Sequence, residues 1–372
     1  MSTTSPPTPP STPPPTPPPT PAPGADPGRR PPGARRTRPL VAGLVVVLAG
    51  GIAALVAPGI LSQTDVPPPL PGPTTTTAGA PAAAPPQPSC GDRVASLRPS
   101  GPATSVVPDG SYMAEIRQRG RLRVGVDTSK KQFTSVDPLT GSFEGFDIDI
   151  AREVAAALFG SPDAIEFVAI PSSERQNVLT DDPAVGDQVY AGVQVDLVAD
   201  TFTITCARRE VIDYSSEYFT SGQRLLVLQS DDATSIADMG GKRVCAAAGS
   251  TSIDNINALP EPRPEVVPVA QQGDCLVLLQ QGKVDGISTD EAILAGMAAQ
   301  DPNVKIVGEG FSDEHYGLGL PPGHDEWVRY VNAVLEDVRS SGRWTATYDE
   351  WLTDTLGAAE SDRTPPPAVY SD

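Results

Sequence analysis

The chain's 372 residues leave room for two or three domains, but 28 of its 43 prolines fall before residue 103, so only about 270 residues can build packed lobes. The formal charge is −19, and residues 1–39 carry +4, so the remainder sums to −23; so acidic a body has no basic surface to displace counterions from nucleic acid. Two histidines and four cysteines leave little material for most metal centres or His-dependent hydrolases, and no cofactor is expected.

Residues 1–39 form a Pro/Thr tract with Arg29, Arg30, Arg35, Arg36 and Arg38 near its end. Such a tract prefers extended polyproline II conformations. It reads as a disordered, solvated tail, with docking to an aromatic groove as the alternative. Leu40 to Leu61 then runs for twenty-two residues without a charge, enough to span a bilayer as a transmembrane helix. Arginines precede it and no Lys or Arg follows until Arg93, so the N-terminus is expected in the cytoplasm and the bulk of the chain outside the plasma membrane. A signal peptide cleaved near Ala78–Ala80 is the competing reading, although its apolar stretch is normally about 7–15 residues. Residues 62–105, rich in Pro, Thr and Ala, read as an extracytoplasmic linker, and 357–372 as a C-terminal tail. Cys90, Cys206, Cys245 and Cys275 make an even count in an oxidising compartment, which favours two disulfides. Three pairings are possible; Cys245 and Cys275 share one apparent lobe, which leaves Cys90 with Cys206.

From residue 112 strands alternate with helices. Leu122, Val124 and Val126 recur at period two, and Phe146, Ile150, Val154, Ala157 and Leu158 at helical spacing. Short strands follow at 195–200, 242–248 and 284–288, with a helical stretch after the second and another at 274–281, and Trp327, Val328, Val331, Val334, Leu335 and Val338 stripe a long C-terminal helix. That alternation predicts an α/β fold with parallel sheets covered on both faces. In such sheets ligands bind beyond the carboxyl ends of strands. Those positions hold Asp127 and Lys130, then Thr201, Thr203 and Arg208, then Gly249-Ser250-Thr251-Ser252, then Thr289 and Asp290. Arginine grips a carboxylate in bidentate geometry, free N–H groups at a helix start hold an anion, and an isolated carboxylate suits an ammonium. That set matches a zwitterion.

Five segments in order, VGVDTSKKQFTSVDPLTGSFEGFDIDIAREVA, VDLVADTFTITCARREVIDYSSEYFTSGQRLLV, GKRVCAAAGSTS, VDGISTDEAILAG and YGLGLPPGHDEWVRYVNAVLEDVRSSGRWTATYDEWL, resemble the family-3 extracellular solute-binding proteins for polar amino acids, the glutamine/glutamate receptors of ABC importers. The resemblance covers roughly residues 115–355 and is greatest to the actinobacterial branch. It implies a type II two-lobe periplasmic-binding-protein-like fold, with lobe 1 over 112–222 plus 313–356 and lobe 2 over 223–312, closing by a hinge. It implies that Arg208 clamps an α-carboxylate with Thr203, that Thr201 offers a backbone carbonyl, and that Asp290 takes the α-ammonium. Ser250 and Thr251 would close from lobe 2, while Arg175, and Lys130 from the first loop, would meet a side-chain carboxylate. The family's aromatic and proline in that loop are replaced here by Lys130, Lys131 and Gln132.

The expected function is therefore a non-enzymatic, monomeric, membrane-anchored receptor for glutamate, aspartate, glutamine or asparagine, serving an ABC permease or a membrane sensor protein. A dehydratase-like enzyme on the same scaffold is the alternative, with Glu291 as its best acid or base. A spacer protein with an idle cleft is the third. If Arg175 and Lys130 both face the cleft, two cations beside a neutral amide stand uncompensated, which favours acids.

Overall fold

The computed structural model describes residues 91–103, 107–180 and 190–371. The expected tail 1–39, the span 40–61, most of the linker 62–105 and Cys90 lie outside the described residues. Among the described residues no helix is long and apolar enough to cross a membrane.

Two five-stranded sheets organise the chain, each with its own core. In lobe 1 the order across the sheet is Ile165–Ala169, Leu122–Val126, Leu197–Val198, Gly319–Leu320, Asp213–Tyr214. In lobe 2 it is Glu265–Val269, Arg243–Ala247, Gly286–Asp290, Gln223–Leu228, Val304–Val307. The first three strands of each are parallel, as the βα alternation predicts. The fourth runs antiparallel in both, so the sheets are mixed. The reason is topological. The fourth member is supplied from across the molecule: Gln223–Leu228 enters lobe 2 directly after the chain crosses, and Gly319–Leu320 re-enters lobe 1 after it returns. Between these entries, Phe219–Ser221 and Glu314–Tyr316 pair antiparallel as a two-stranded hinge.

Lobe 1 packs the helices Phe146–Phe159, Asp325–Ser340 and Arg343–Trp351 on its sheet. The expected stripe from Trp327 to Val338 is buried throughout. Trp327 is fully buried, and its indole N–H donates to the Asp196 carbonyl at 2.9 Å; truncating such a side chain to alanine costs about 3–5 kcal/mol.

The boundaries of the linker and the C-terminal tail differ from expectation. Ser96 is buried and forms a parallel bridge with Tyr370. Its N–H donates to Val369, its carbonyl accepts from Ser371, and its hydroxyl donates to the Tyr214 carbonyl at 2.8 Å. Asn332 holds the neighbouring Leu97 carbonyl at 2.7 Å. Both ends of the folded chain are therefore docked on lobe 1, because their backbone polar groups find partners there that a solvated tail would leave to water.

Lobe 2 contains the disulfide Cys245–Cys275, which ties the strand Arg243–Ala247 to the helix Asp274–Gln280. Cys206 is also disulfide-bonded; its expected partner, Cys90, lies outside the described residues.

Candidate ligand-binding site

The carboxyl ends of both sheets' parallel strands converge on a narrow, nearly closed cavity. Lobe 1 lines it with Lys130, Ser172, Arg175, Thr201 and Thr203, and lobe 2 with Ser250, Thr251, Gln272, Thr289 and Asp290 among others. Seven of the nine sequence-predicted residues thus face one space. Arg208 flanks it. Asp127 does not line it.

Arg208 sits in the short helix Cys206–Arg209, whose N-cap Thr205 accepts from the Arg208 backbone N–H at 3.2 Å. Its guanidinium donates to the Thr203 carbonyl at 2.7 Å and to the Gly249 carbonyl at 3.0 Å. Burial pulls its pKa below the usual arginine value. The Phe202 ring lies 4.9 Å from this guanidinium and 4.5 Å from that of Arg175, so one aromatic serves both cations. The sequence reading missed Phe202, although it stands inside the TFTIT motif.

Thr201 has φ of 45°, a left-handed conformation that a β-branched residue rarely adopts. Asp147 holds it there: its carboxylate accepts from the Thr201 N–H at 2.6 Å and from the Tyr218 hydroxyl at 2.8 Å. Complete burial raises the Asp147 pKa to about 7. Nothing in the GFDIDI segment distinguished Asp147 from its neighbours, because the residues it serves lie more than fifty positions away.

Asp290 ends the strand Gly286–Asp290 at the N-cap position of the helix Glu291–Ala298, yet its side chain makes no capping hydrogen bond. It accepts instead from the Tyr316 hydroxyl at 2.5 Å. Burial, and then the neighbouring Glu314 charge, raise its pKa to about 7. Capping therefore does not explain this aspartate.

Two of the three threonines expected to meet a ligand share one acceptor. Thr203 and Thr251 donate to the same Glu314 oxygen at 2.7 and 2.8 Å, while its other oxygen accepts from Asn255 at 3.0 Å and Ser312 at 2.6 Å. A hydroxyl has one proton to give. Glu314, on a hinge strand, therefore binds both jaws. The Ser250 hydroxyl also turns inward, to the Ala247 carbonyl at 2.7 Å.

Lys130 donates to Asp200 Oδ1 at 2.5 Å and to Ser172 Oγ and the Asp200 carbonyl at 3.2 Å each. Arg175 donates to the carbonyls of Ser172, Asp200, Thr201 and Gly249, and its Nε lies 3.7 Å from Asp200 Oδ2. The expectation of two uncompensated cations is thus corrected: a buried aspartate stands between them. Gln272 adds a donor. Its Oε1 accepts from the Ala247 N–H at 3.1 Å, which leaves Nε2 buried and, among the described residues, without a partner. Asp127 instead shapes the first loop, accepting from the Ser129 N–H at 2.6 Å and hydroxyl at 2.7 Å; burial raises its pKa.

The jaws meet closely. Gly249 has φ of 72°, and a Cβ there would lie 2.7 Å from Ser173 Cα. Gly273 donates its N–H to Ser129 Oγ at 3.0 Å across the same gap.

Residues 122–354 match the model of the bacterial extracellular solute-binding proteins, family 3. The chain belongs to this family. The family model and the relatives it brings are solute-binding receptors and not enzymes, which sets the dehydratase reading aside. The chain is 33% identical over 241 residues to the ABC transporter glutamine-binding protein GlnH of Bacillus subtilis, covering 64% of this chain and 84% of that one. It is 28% identical over 264 residues to the glutamate-binding protein GluB of Corynebacterium glutamicum, covering 66% and 81%. Among solved family-like structures, an ancestral arginine-binding protein bound to glutamine superposes with a TM-score of 0.56 at 30% identity, covering 63% of this chain and 98% of that one.

Proposed function

We propose that this solute-binding protein captures a polar amino acid, acidic or amide, and hands it to an ABC permease. One observation carries the reading: Arg208 from lobe 1 and Asp290 from lobe 2 flank a cavity lined by both lobes. They offer a cation for an α-carboxylate and an acid, free of capping duty, for an α-ammonium. Beside Arg208, whose Gly249 acceptor Arg175 shares, Lys130, Arg175 and Gln272 present further donors, which suits a ligand side chain bearing oxygen acceptors. Relatives named for glutamine and glutamate binding support the same ligand class. The charge-free segment 40–61 supports a membrane anchor with the binding domain outside and the N-terminus in the cytoplasm. The Arg/Pro-rich tail on the inner side suits contact with a membrane sensor as a second partner.

Calorimetric titration of the full-length protein with L-glutamate, L-aspartate, L-glutamine and L-asparagine tests the reading. Binding of at least one, and none by Arg208→Ala, is expected. Heat from none of the four would remove it.

A further inference from the structure

Asp200 lies within hydrogen-bond or ion-pair reach of two cations that line the cavity, Lys130 and Arg175. Lys130 and Arg175 line the cavity and are 2% and 3% exposed. Asp200 is fully buried behind them and is not among the lining residues. Its Oδ1 receives the Lys130 ammonium, and its Oδ2 faces the Arg175 Nε at 3.7 Å but, among the described residues, accepts no hydrogen bond. One carboxylate is thus divided between two cations, and it fully satisfies neither. Arg175 completes its coordination with backbone carbonyls, which carry no net charge.

Lys130, Arg175 and Asp200 together therefore carry one positive unit rather than two, while the buried carboxyls of Asp127 and Asp147 act on the same cluster and Arg208 stands beside Arg175. A carboxylate arriving there neutralises the cluster. An amide leaves a single buried positive charge, a cost moderated by the partial compensation that Asp200 already supplies. Without Asp200 an amide would face two buried cations, and discrimination against it would grow steeply.

We infer that Asp200, though it does not touch the ligand, is the residue that sets the acid-against-amide preference of this cavity. The inference rests on the cavity being the amino-acid site proposed above. Asp200 acts as a specificity-determining residue by positioning and neutralising Lys130 and Arg175. A merely structural Asp200 would affect both ligand classes alike, so the readout that separates the two roles is a ratio.

The full-length protein and its Asp200→Asn and Lys130→Met variants are titrated with L-glutamate and L-glutamine. Asp200→Asn raises the affinity ratio of glutamate to glutamine by roughly tenfold or more, and Lys130→Met lowers it by a similar factor. Lys130→Met checks that the cation faces the ligand; should Asp200→Asn fold poorly, Asp200→Ser, which removes the same charge, supplies the ratio that decides. Equal losses for both ligands in the folded variants overturn the inference and leave the proposed function standing. A wild-type protein that binds neither ligand removes both.

Discussion

The Arg208 guanidinium of lobe 1 donates to the Gly249 carbonyl of lobe 2 at 3.0 Å, so the residue that best suits a ligand's carboxylate also bridges the jaws. Closing the lobes and desolvating this cation are one event. A buried guanidinium needs an anion or several acceptors, and the two carbonyls it holds supply only partial charge. Arg208→Ala should therefore weaken amino-acid binding more than about 100-fold, since losing one member of a buried charge pair costs 2–5 kcal/mol or more. Arg208→Lys, which keeps the charge but not the fork, should recover only part of it. Calorimetry on both variants measures the difference; equal affinity in Arg208→Ala and wild type would contradict the role.

Gly249→Ala should hinder closure. The new methyl would lie 2.7 Å from Ser173 Cα, and the φ of 72° adds backbone strain. Small-angle scattering should report a more extended average shape, with weaker binding and little change in lobe 2 itself. An unchanged scattering profile would show that the jaws meet elsewhere.

Asp290 should make binding depend on pH. Its carboxyl is raised from 3.8 to about 7 by burial and by Glu314, and that of Asp147 is raised to about 7 by burial. Between the ordinary value and about 7 the folded protein holds protons that the unfolded chain has released, so stability falls as pH rises through that window. Affinity for an amino acid moves the other way, because an ammonium prefers the ionised form of Asp290. Thermal midpoints and dissociation constants from about pH 4 to about pH 8 should show both trends, and Asp290→Asn should abolish the second while retaining Asp147's share of the first. A flat wild-type affinity profile would count against Asp290 as the ammonium partner.

Glu314→Ala should loosen the hinge. Thr203, Thr251, Asn255 and Ser312 all lose their common acceptor. Unsatisfied buried donors cost about 1–3 kcal/mol, equivalent to a fall of several degrees in Tm for lobes of this size. Glu314→Gln, which keeps one acceptor oxygen, should lose less. Differential scanning calorimetry ranks the three proteins, and identical midpoints would refute the bridging role.

The disulfides should differ in function. Cys245 and Cys275 are separated by 30 residues and lie wholly within lobe 2, where closing such a loop contributes about 3–4 kcal/mol of stability. Cys245→Ser with Cys275→Ser should lower stability and affect binding mainly through it. Cys206 begins the helix that carries Arg208 two residues later, so Cys206→Ser should reduce affinity beyond its effect on stability. Denaturant melts and titrations on the same samples separate the two effects, and unchanged affinity in Cys206→Ser would remove that bond from the binding machinery.

Much of the molecule was legible in the chain itself. Hydrophobic spacing marked the helices Phe146–Phe159 and Asp325–Ser340, because an amphipathic stripe is a local pattern. Arg208, Asp290 and the GSTS turn stood out because ligands gather where strands end, and strand ends can be read locally. What tertiary structure alone decided is how charges and donors are shared. Asp200 between Lys130 and Arg175, Glu314 beneath two threonines, and Asp147 holding Thr201 are pairings between residues tens of positions apart. The mixed order of each sheet also depends on which strand crosses the hinge. Sequence spacing names the groups able to bind a zwitterion, but the energy of a buried charge depends on its neighbours within a few ångströms, and only folding determines who those neighbours are.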